Sequence, residues 1–129
     1  MEDKIVITTD QAAGPFGGAP YSQAIVSNGF VFTAGQIGAA ADGSGLLGDT
    51  IEAQTEQVIA NLKAILEAAG SSLDAVVKTT CFLSDLGNFA AFNEVYRKRF
   101  GGPFPARSTF GVMLPAGVLV EVEAIARVH

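Results

Sequence analysis

Phe104-Pro-Ala-Arg-Ser-Thr-Phe-Gly-Val-Met-Leu-Pro-Ala-Gly-Val-Leu-Val-Glu-Val-Glu-Ala-Ile-Ala126 reads as two strands joined by a tight turn. Phe110, Val112 and Leu114 alternate with Thr109, Gly111 and Met113. After Pro115-Ala116-Gly117 the alternation resumes, with Val118, Val120, Val122 and Ala124 on one face and Leu119, Glu121, Glu123 and Ile125 on the other. Strand side chains repeat with a period of two, and Pro and Gly between apolar runs mark a turn. A hairpin closing near Ala116 puts Arg107 opposite or diagonal to Glu121 and Glu123, roughly 5–8 Å away across the strands. One Arg and two carboxylates on one face of an apolar hairpin make a candidate site for a small carboxylic acid. The guanidinium can hold a carboxylate by two parallel hydrogen bonds, and a nearby Glu can relay a proton. The same alternation also describes a solvated sheet face, so the rest of the chain must decide.

Working outward, 129 residues make one domain, 1–129, long enough to bury a core. No apolar run reaches membrane-spanning length, and the polar start Met1-Glu2-Asp3-Lys4 does not resemble a signal peptide. A cytoplasmic protein without membrane contact is the expectation. The net charge of −5 argues against a broad nucleic-acid surface, which needs clustered cations. The one basic cluster, Arg97-Lys98-Arg99, suits a helix C-terminus. A single cysteine, Cys81, excludes an intrachain disulfide, and the single histidine is the final residue, His129. Neither a Ser-His or Cys-His nucleophile nor a His/Cys metal site is supported. Chemistry here is left to carboxylates, Arg, Lys, Tyr, hydroxyls and backbone groups.

Ile5 to Ile7 looks like a first strand, and Asn28-Gly29 between two strand-like runs signals a hairpin. Gln11–Pro20 and Gly35–Gly48 are loops rich in Gly and Ala. Asp49–Ala69 is the clearest helix, with Asp49 as cap, Glu52 as its capping-box partner and an apolar stripe of Val58, Leu62, Ile65, Leu66 and Ala69. Ser72–Ser84 returns to strand, with Val77, Thr79, Cys81 and Leu83 on one face. Asn88–Phe100 is a second helix, buried along Phe89, Phe92, Tyr96 and Phe100. The expected fold is α+β: a six-strand mixed sheet with two helices on one face. Its other face is left bare, which predicts a homo-oligomer.

Ala19-Pro20-Tyr21-Ser22-Gln23-Ala24, Thr33-Ala34-Gly35-Gln36-Ile37, Val77-Lys78-Thr79-Thr80, Phe92-Asn93-Glu94-Val95-Tyr96, Pro105-Ala106-Arg107-Ser108-Thr109 and Val120-Glu121-Val122-Glu123-Ala124 occur in an order and spacing that resemble the RidA/YjgF family of enamine/imine deaminases. The resemblance covers essentially the whole chain. It implies a chorismate-mutase-like fold in a barrel-like homotrimer with clefts between subunits. It implies hydrolysis of 2-aminoacrylate-type enamine or imine acids to 2-keto acids and ammonia, with no cofactor and no metal. By position, Arg107 matches the arginine that holds the substrate carboxylate, Glu121 the acidic residue near the attacking water, and Tyr21 a cleft tyrosine. Asn93, Gly35 and Thr109 match ligand-contacting positions, and Ala34 stands where relatives carry Ser. Glu123 is read as an ion-pair partner for a nearby cation. Phe16, Tyr21 and the Gly35–Gly48 loop are expected to set the pocket's size.

The chain departs from the family pattern at Thr109, where several relatives carry Cys, and in the Arg107–Pro115 link, one residue shorter than is common. A deletion inside the strand would flip every side chain beyond it and part Arg107 from Glu121; a deletion in the turn would not, and clean alternation up to the turn favours that. Two other functions stay in view. One is a small-carboxylic-acid-binding regulatory protein, which would use the same arginine. The other is the endoribonuclease or translation-inhibitor activity also ascribed to the family, which the acidic charge and the lack of a suitable His disfavour.

Overall fold

The structure, a computed structural model, describes residues 3–129. The strands are β1 (Ile5–Ile7), β2 (Ala24–Ser27), β3 (Phe30–Thr33), β4 (Gln36–Ile37), β5 (Val76–Leu83), β6 (Ala106–Gly111) and β7 (Val120–Arg127). The helices are α1 (Ile51–Ala68) and α2 (Phe89–Phe100). The sheet order is β1-β2-β3-β7-β5-β6, with the two-residue β4 also paired to β7. The expected α+β architecture is found, and β4 adds a short seventh strand. The Asn28-Gly29 turn is as read, with φ of 53° and 81° closing Ser27 onto Phe30.

The C-terminal hairpin is not formed. β6 and β7 do not pair, because β5 lies between them, parallel to β6 and antiparallel to β7. The Pro115-Ala116-Gly117 turn belongs to an arch over the end of β5, where Val112 N donates to Leu83 O (2.9 Å) and Ser84 N to Leu119 O (3.1 Å). β5, α2 and β6 thus make a βαβ unit, the connection a parallel pair requires.

The register fixes the faces. Arg107 sits beside Thr79, and Thr79 beside Ala124. Glu121 sits beside Phe82, which in turn sits beside Phe110. Thr79, Cys81, Leu83, Val120, Val122 and Ala124 are buried under the helices against Leu62, Ile65, Leu66 and Phe92. Phe82 and Phe110 stack at 6.4 Å on the uncovered face. Val6, Phe32 and Phe110 on that face are 57, 43 and 51% exposed. The β5–β6 register runs unbroken from Lys78↔Ala106 to Leu83↔Gly111, so a shorter link is absorbed beyond Gly111.

Local details differ from expectation. The α1 cap is Thr50, whose Oγ1 accepts from Ala53 N (3.1 Å), one residue beyond Asp49. A register shift between Val76 and Lys78 leaves Val77 exposed and puts Val76 with the core. Phe89 opens α2 rather than lining its buried stripe, and is 42% exposed.

The cap assignment predicts that Thr50→Ala lowers unfolding free energy by about 1 kcal/mol. Asp49→Ala should cost no more than about 0.5 kcal/mol, since it keeps only a dipole contribution. Urea titration of the two variants reads the difference, and equal losses would refute the Thr50 cap.

Candidate functional site

Arg107 points to the helix side of β6. Its guanidinium carbon lies 4.8 Å from the Tyr96 ring centroid, 5.5 Å from Phe89 and 5.6 Å from Phe92. The ion pairs among the described residues are Lys63–Glu67, Arg97–Glu94 and Arg99–Glu56, so Arg107 meets no carboxylate there. Arg107 lines a pocket of about 210 Å³ with Asn93, Tyr96, Arg97, Phe104 and Pro105. Two buried side-chain oxygens, the amide oxygen Asn93 Oδ1 and the hydroxyl oxygen Thr109 Oγ1, have no hydrogen-bond partner among the described residues. Among the described residues the Arg107 guanidinium thus has no carboxylate partner, which leaves its N–H fork open.

Glu121 lies on the opposite face. This overturns the expectation that Arg107, Glu121 and Glu123 gather on one side, and the cause is sheet order rather than a slip in the strand. Within one chain Arg107 and Glu121 cannot grip the same small acid. Burial of the Glu121 carboxyl, and then the neighbouring Glu123 charge, raise its pKa above the ordinary 4.5. Glu123 is exposed and takes part in none of the ion pairs. The nearby cation, Lys78, donates instead to Ser108 Oγ at 3.2 Å. Glu123 therefore acts as a like-charge neighbour, not as the ion-pair partner expected.

Glu121 is packed against Gly35. A Cβ on Gly35 would run into the carboxylate and lie 2.9 Å from Glu121 Cδ. The contact exists because β7 is shared between β3 and β4. At the break, Ala124 N donates to Thr33 Oγ1 (3.0 Å), and Ala34–Gly35 crosses in front of Glu121. Ala34 N is tied to Gln23 O at 2.8 Å. Next to Gly35 opens a pocket of about 350 Å³ lined by Pro15, Phe16, Tyr21, Gly35, Ile37 and Leu46 among others. Tyr21 Oη accepts from Phe16 N (2.7 Å), which leaves its own proton to donate.

The candidate residues thus form two groups: Arg107, Asn93 and Thr109 on one face, and Glu121, Gly35, Ala34 and Tyr21 across the sheet. Sequence reading missed Tyr96, Phe89 and Phe92 as Arg107's surroundings. Their spacing along α2 read only as an apolar stripe. It also missed the buried amides that hold the loops. Gln23 Oε1 accepts from Thr9 N (2.7 Å), and its Nε2 donates to Thr9 O, Ala12 O and Ala13 O. Asn61 Nδ2 donates to Ile37 O and Ala39 O. Gln54 is bonded to Gly48 O, Gly117 O and Leu119 N. Among the described residues no cluster of His, Cys, Asp and Glu is placed to hold a metal, and no helix is long and apolar enough to cross a membrane.

The family model described as endoribonuclease L-PSP matches residues 12–128. A RutC family protein of Pyrococcus abyssi is 50% identical over 124 residues, covering 95% of this chain and 96% of that one. The chloroplastic Reactive Intermediate Deaminase A of Arabidopsis thaliana is 44% identical over 124 residues, covering 95% of this chain and 65% of that one. The crystal structure of E. coli TdcF with bound serine superposes with a TM-score of 0.88 at 36% identity, covering 97% of this chain and 99% of that one.

The raised Glu121 pKa has a signed consequence for stability. The folded state holds this proton more tightly than the unfolded chain, so stability falls as pH rises from the ordinary carboxylate value through the folded one. Glu121→Gln should therefore melt above wild type at pH 7, with the gap closing by pH 4. A gap that is absent or grows on acidification would contradict the strained carboxylate.

Proposed function

The chain belongs to the endoribonuclease L-PSP family, the RidA/YjgF proteins, and from that premise we propose that it hydrolyses 2-imino acids of the 2-aminoacrylate type to 2-keto acids and ammonia. The observation that carries this reading is the pair of uncompensated groups: an Arg107 guanidinium without a carboxylate among the described residues, and a half-buried Glu121 with raised proton affinity. Lying on opposite faces of one subunit, they serve one small substrate when two copies meet. The bare sheet face, with Val6, Phe32 and Phe110 exposed, supports such association. The assembly is a homotrimer with its sites in the clefts between subunits.

In this mechanism the enamine first tautomerises to the imine. Arg107 of one copy fixes the carboxylate, with Asn93 and Thr109 beside it, and turns a random encounter into an oriented one. Glu121 of the next copy accepts a proton from water as the water oxygen bonds to C2 and the C=N π pair moves to nitrogen. Glu121 returns the proton to that nitrogen. Glu121 then takes the proton of the new hydroxyl and passes it to the nitrogen, so that the C=O forms as the C–N bond breaks and the nitrogen leaves as ammonia. A carboxylate with raised pKa is a stronger base than an ordinary one, which suits a group that takes a proton and returns it. Tyr21 Oη, whose proton is not used by Phe16, donates to the leaving nitrogen. Small-acid binding without turnover uses the same Arg107, and the serine in the TdcF structure keeps that reading in view. Ribonuclease chemistry has less support, since phosphate recognition needs clustered cations and the chain carries −5.

The test couples the protein to a serine or threonine dehydratase and follows loss of the enamine. Wild type should accelerate the loss, while Arg107→Ala and Glu121→Gln should not. Gly35→Ala should fold and lose at least about tenfold in rate, because its Cβ displaces the Glu121 carboxylate. Arg107→Ala and Glu121→Gln chains refolded together should regain about one quarter of wild-type activity, the share of sites drawing an intact residue from each neighbour. No regain would refute the shared site. Binding of 2-ketobutyrate with no acceleration by wild type would replace the deaminase with a binder.

A further inference from the structure

We infer that Tyr96 is the positioning residue of the carboxylate clamp: its ring face, pinned to the sheet, orients Arg107 without neutralising it. The inference rests on Arg107 being that clamp. Three rings lie within the reach of cation–π attraction, and Tyr96 is nearest at 4.8 Å. Tyr96 is itself fixed on several sides. Its hydroxyl shares a 2.8 Å hydrogen bond with Thr79 Oγ1, Phe100 stacks on it at 4.4 Å, and Phe92 packs tilted at 5.6 Å. Thr79 is the strand neighbour of Arg107. The ring and the arginine it holds are thus anchored to adjacent points of the sheet.

The alternative way to orient a half-buried arginine is a carboxylate partner. A carboxylate would occupy the N–H fork that a ligand needs, and a ligand would have to displace it. Ring faces hold the cation through its π surface and leave the N–H edge free. The cage therefore suits a planar monocarboxylate such as a 2-imino or 2-keto acid. Asn93 lines the same pocket as Arg107 and Tyr96.

Calorimetric titration with 2-ketobutyrate tests this in wild type, Tyr96→Phe, Tyr96→Leu and Phe89→Leu, alongside KM and kcat in the coupled assay. Tyr96→Phe keeps the ring and should bind within about threefold of wild type. Tyr96→Leu should bind about five- to thirtyfold more weakly, with the loss falling on KM more than on kcat. Phe89 is half-exposed, so Phe89→Leu folds in any case, and it should bind about two- to fivefold more weakly. Wild-type affinity in Phe89→Leu and in folded Tyr96→Leu would overturn the cage; if Tyr96→Leu does not fold, Phe89→Leu decides alone. No 2-ketobutyrate binding by wild type would instead remove the clamp, and the cage role with it.

Discussion

The register of β5 at Thr79 is the constraint on which the rest depends. One residue faces Arg107 through a parallel ladder and Ala124 through an antiparallel one. That double pairing sends Arg107 toward the helices and Glu121 away from them. It also brings Thr79 under the Tyr96 hydroxyl. A one-residue slip would exchange the faces, bury Lys78 and Phe82 in the helix layer and expose Cys81. Burial of Val120, Val122, Ala124, Cys81 and Leu83 at 2% exposure or less shows how strongly the core fixes the register.

The loops that carry half of the candidate residues are held by side chains rather than by sheet. Gln23, Gln54 and Asn61 are buried amides whose bonds end on loop carbonyls and amides. A loop near the surface has backbone groups that strands would otherwise satisfy. Three buried amides supply those partners and bring Phe16, Tyr21 and Gly35 against a fixed sheet. Cys81 illustrates the opposite use of burial. Desolvation raises its pKa to about 11, so it remains a neutral thiol beneath Thr109 and Arg107 and fills space without adding charge.

Local signals in the sequence foretold local structure. Asn28-Gly29 specifies positive φ and so gave its hairpin, and the α1 stripe placed Val58, Leu62, Ile65 and Leu66 on the buried face. Both faces of β7 were legible because alternation is a property of one strand. Strand order is not such a property. Pro115-Ala116-Gly117 makes the same turn whether the flanking strands pair or a third strand enters between them. The entry of β5 depends on α2 packing across it, a non-local contact. For that reason the alternation of β7 could put Glu121 and Glu123 on one face, whereas the separation of Arg107 from them could not be read, and Tyr21, Asn93, Gly35, Ala34 and Thr109 were candidates by family resemblance only. The bulge at Val77 and the Thr50 cap are smaller cases, each displacing a feature by about a residue.

Placing an arginine and a glutamate on opposite faces of one sheet has an energetic sense. On the same face at cross-strand distance they would pair, and each would lose the property that makes it chemically useful. The guanidinium would have its fork filled, and the carboxylate would have its pKa lowered by the adjacent cation. With the sheet between them, Arg107 is held by aromatic faces, and Glu121 is held by burial and a like-charged neighbour. Both arrangements cost stability in the isolated chain: a cation without an anion among the described residues, and a carboxylate partly withdrawn from water. The fold tolerates them because each is surrounded by parts that are rigid for other reasons, the α2 aromatic stack on one side and the Gly35 crossing on the other. In the proposed assembly, the ligand that bridges the two faces of neighbouring copies supplies the partners that each face lacks.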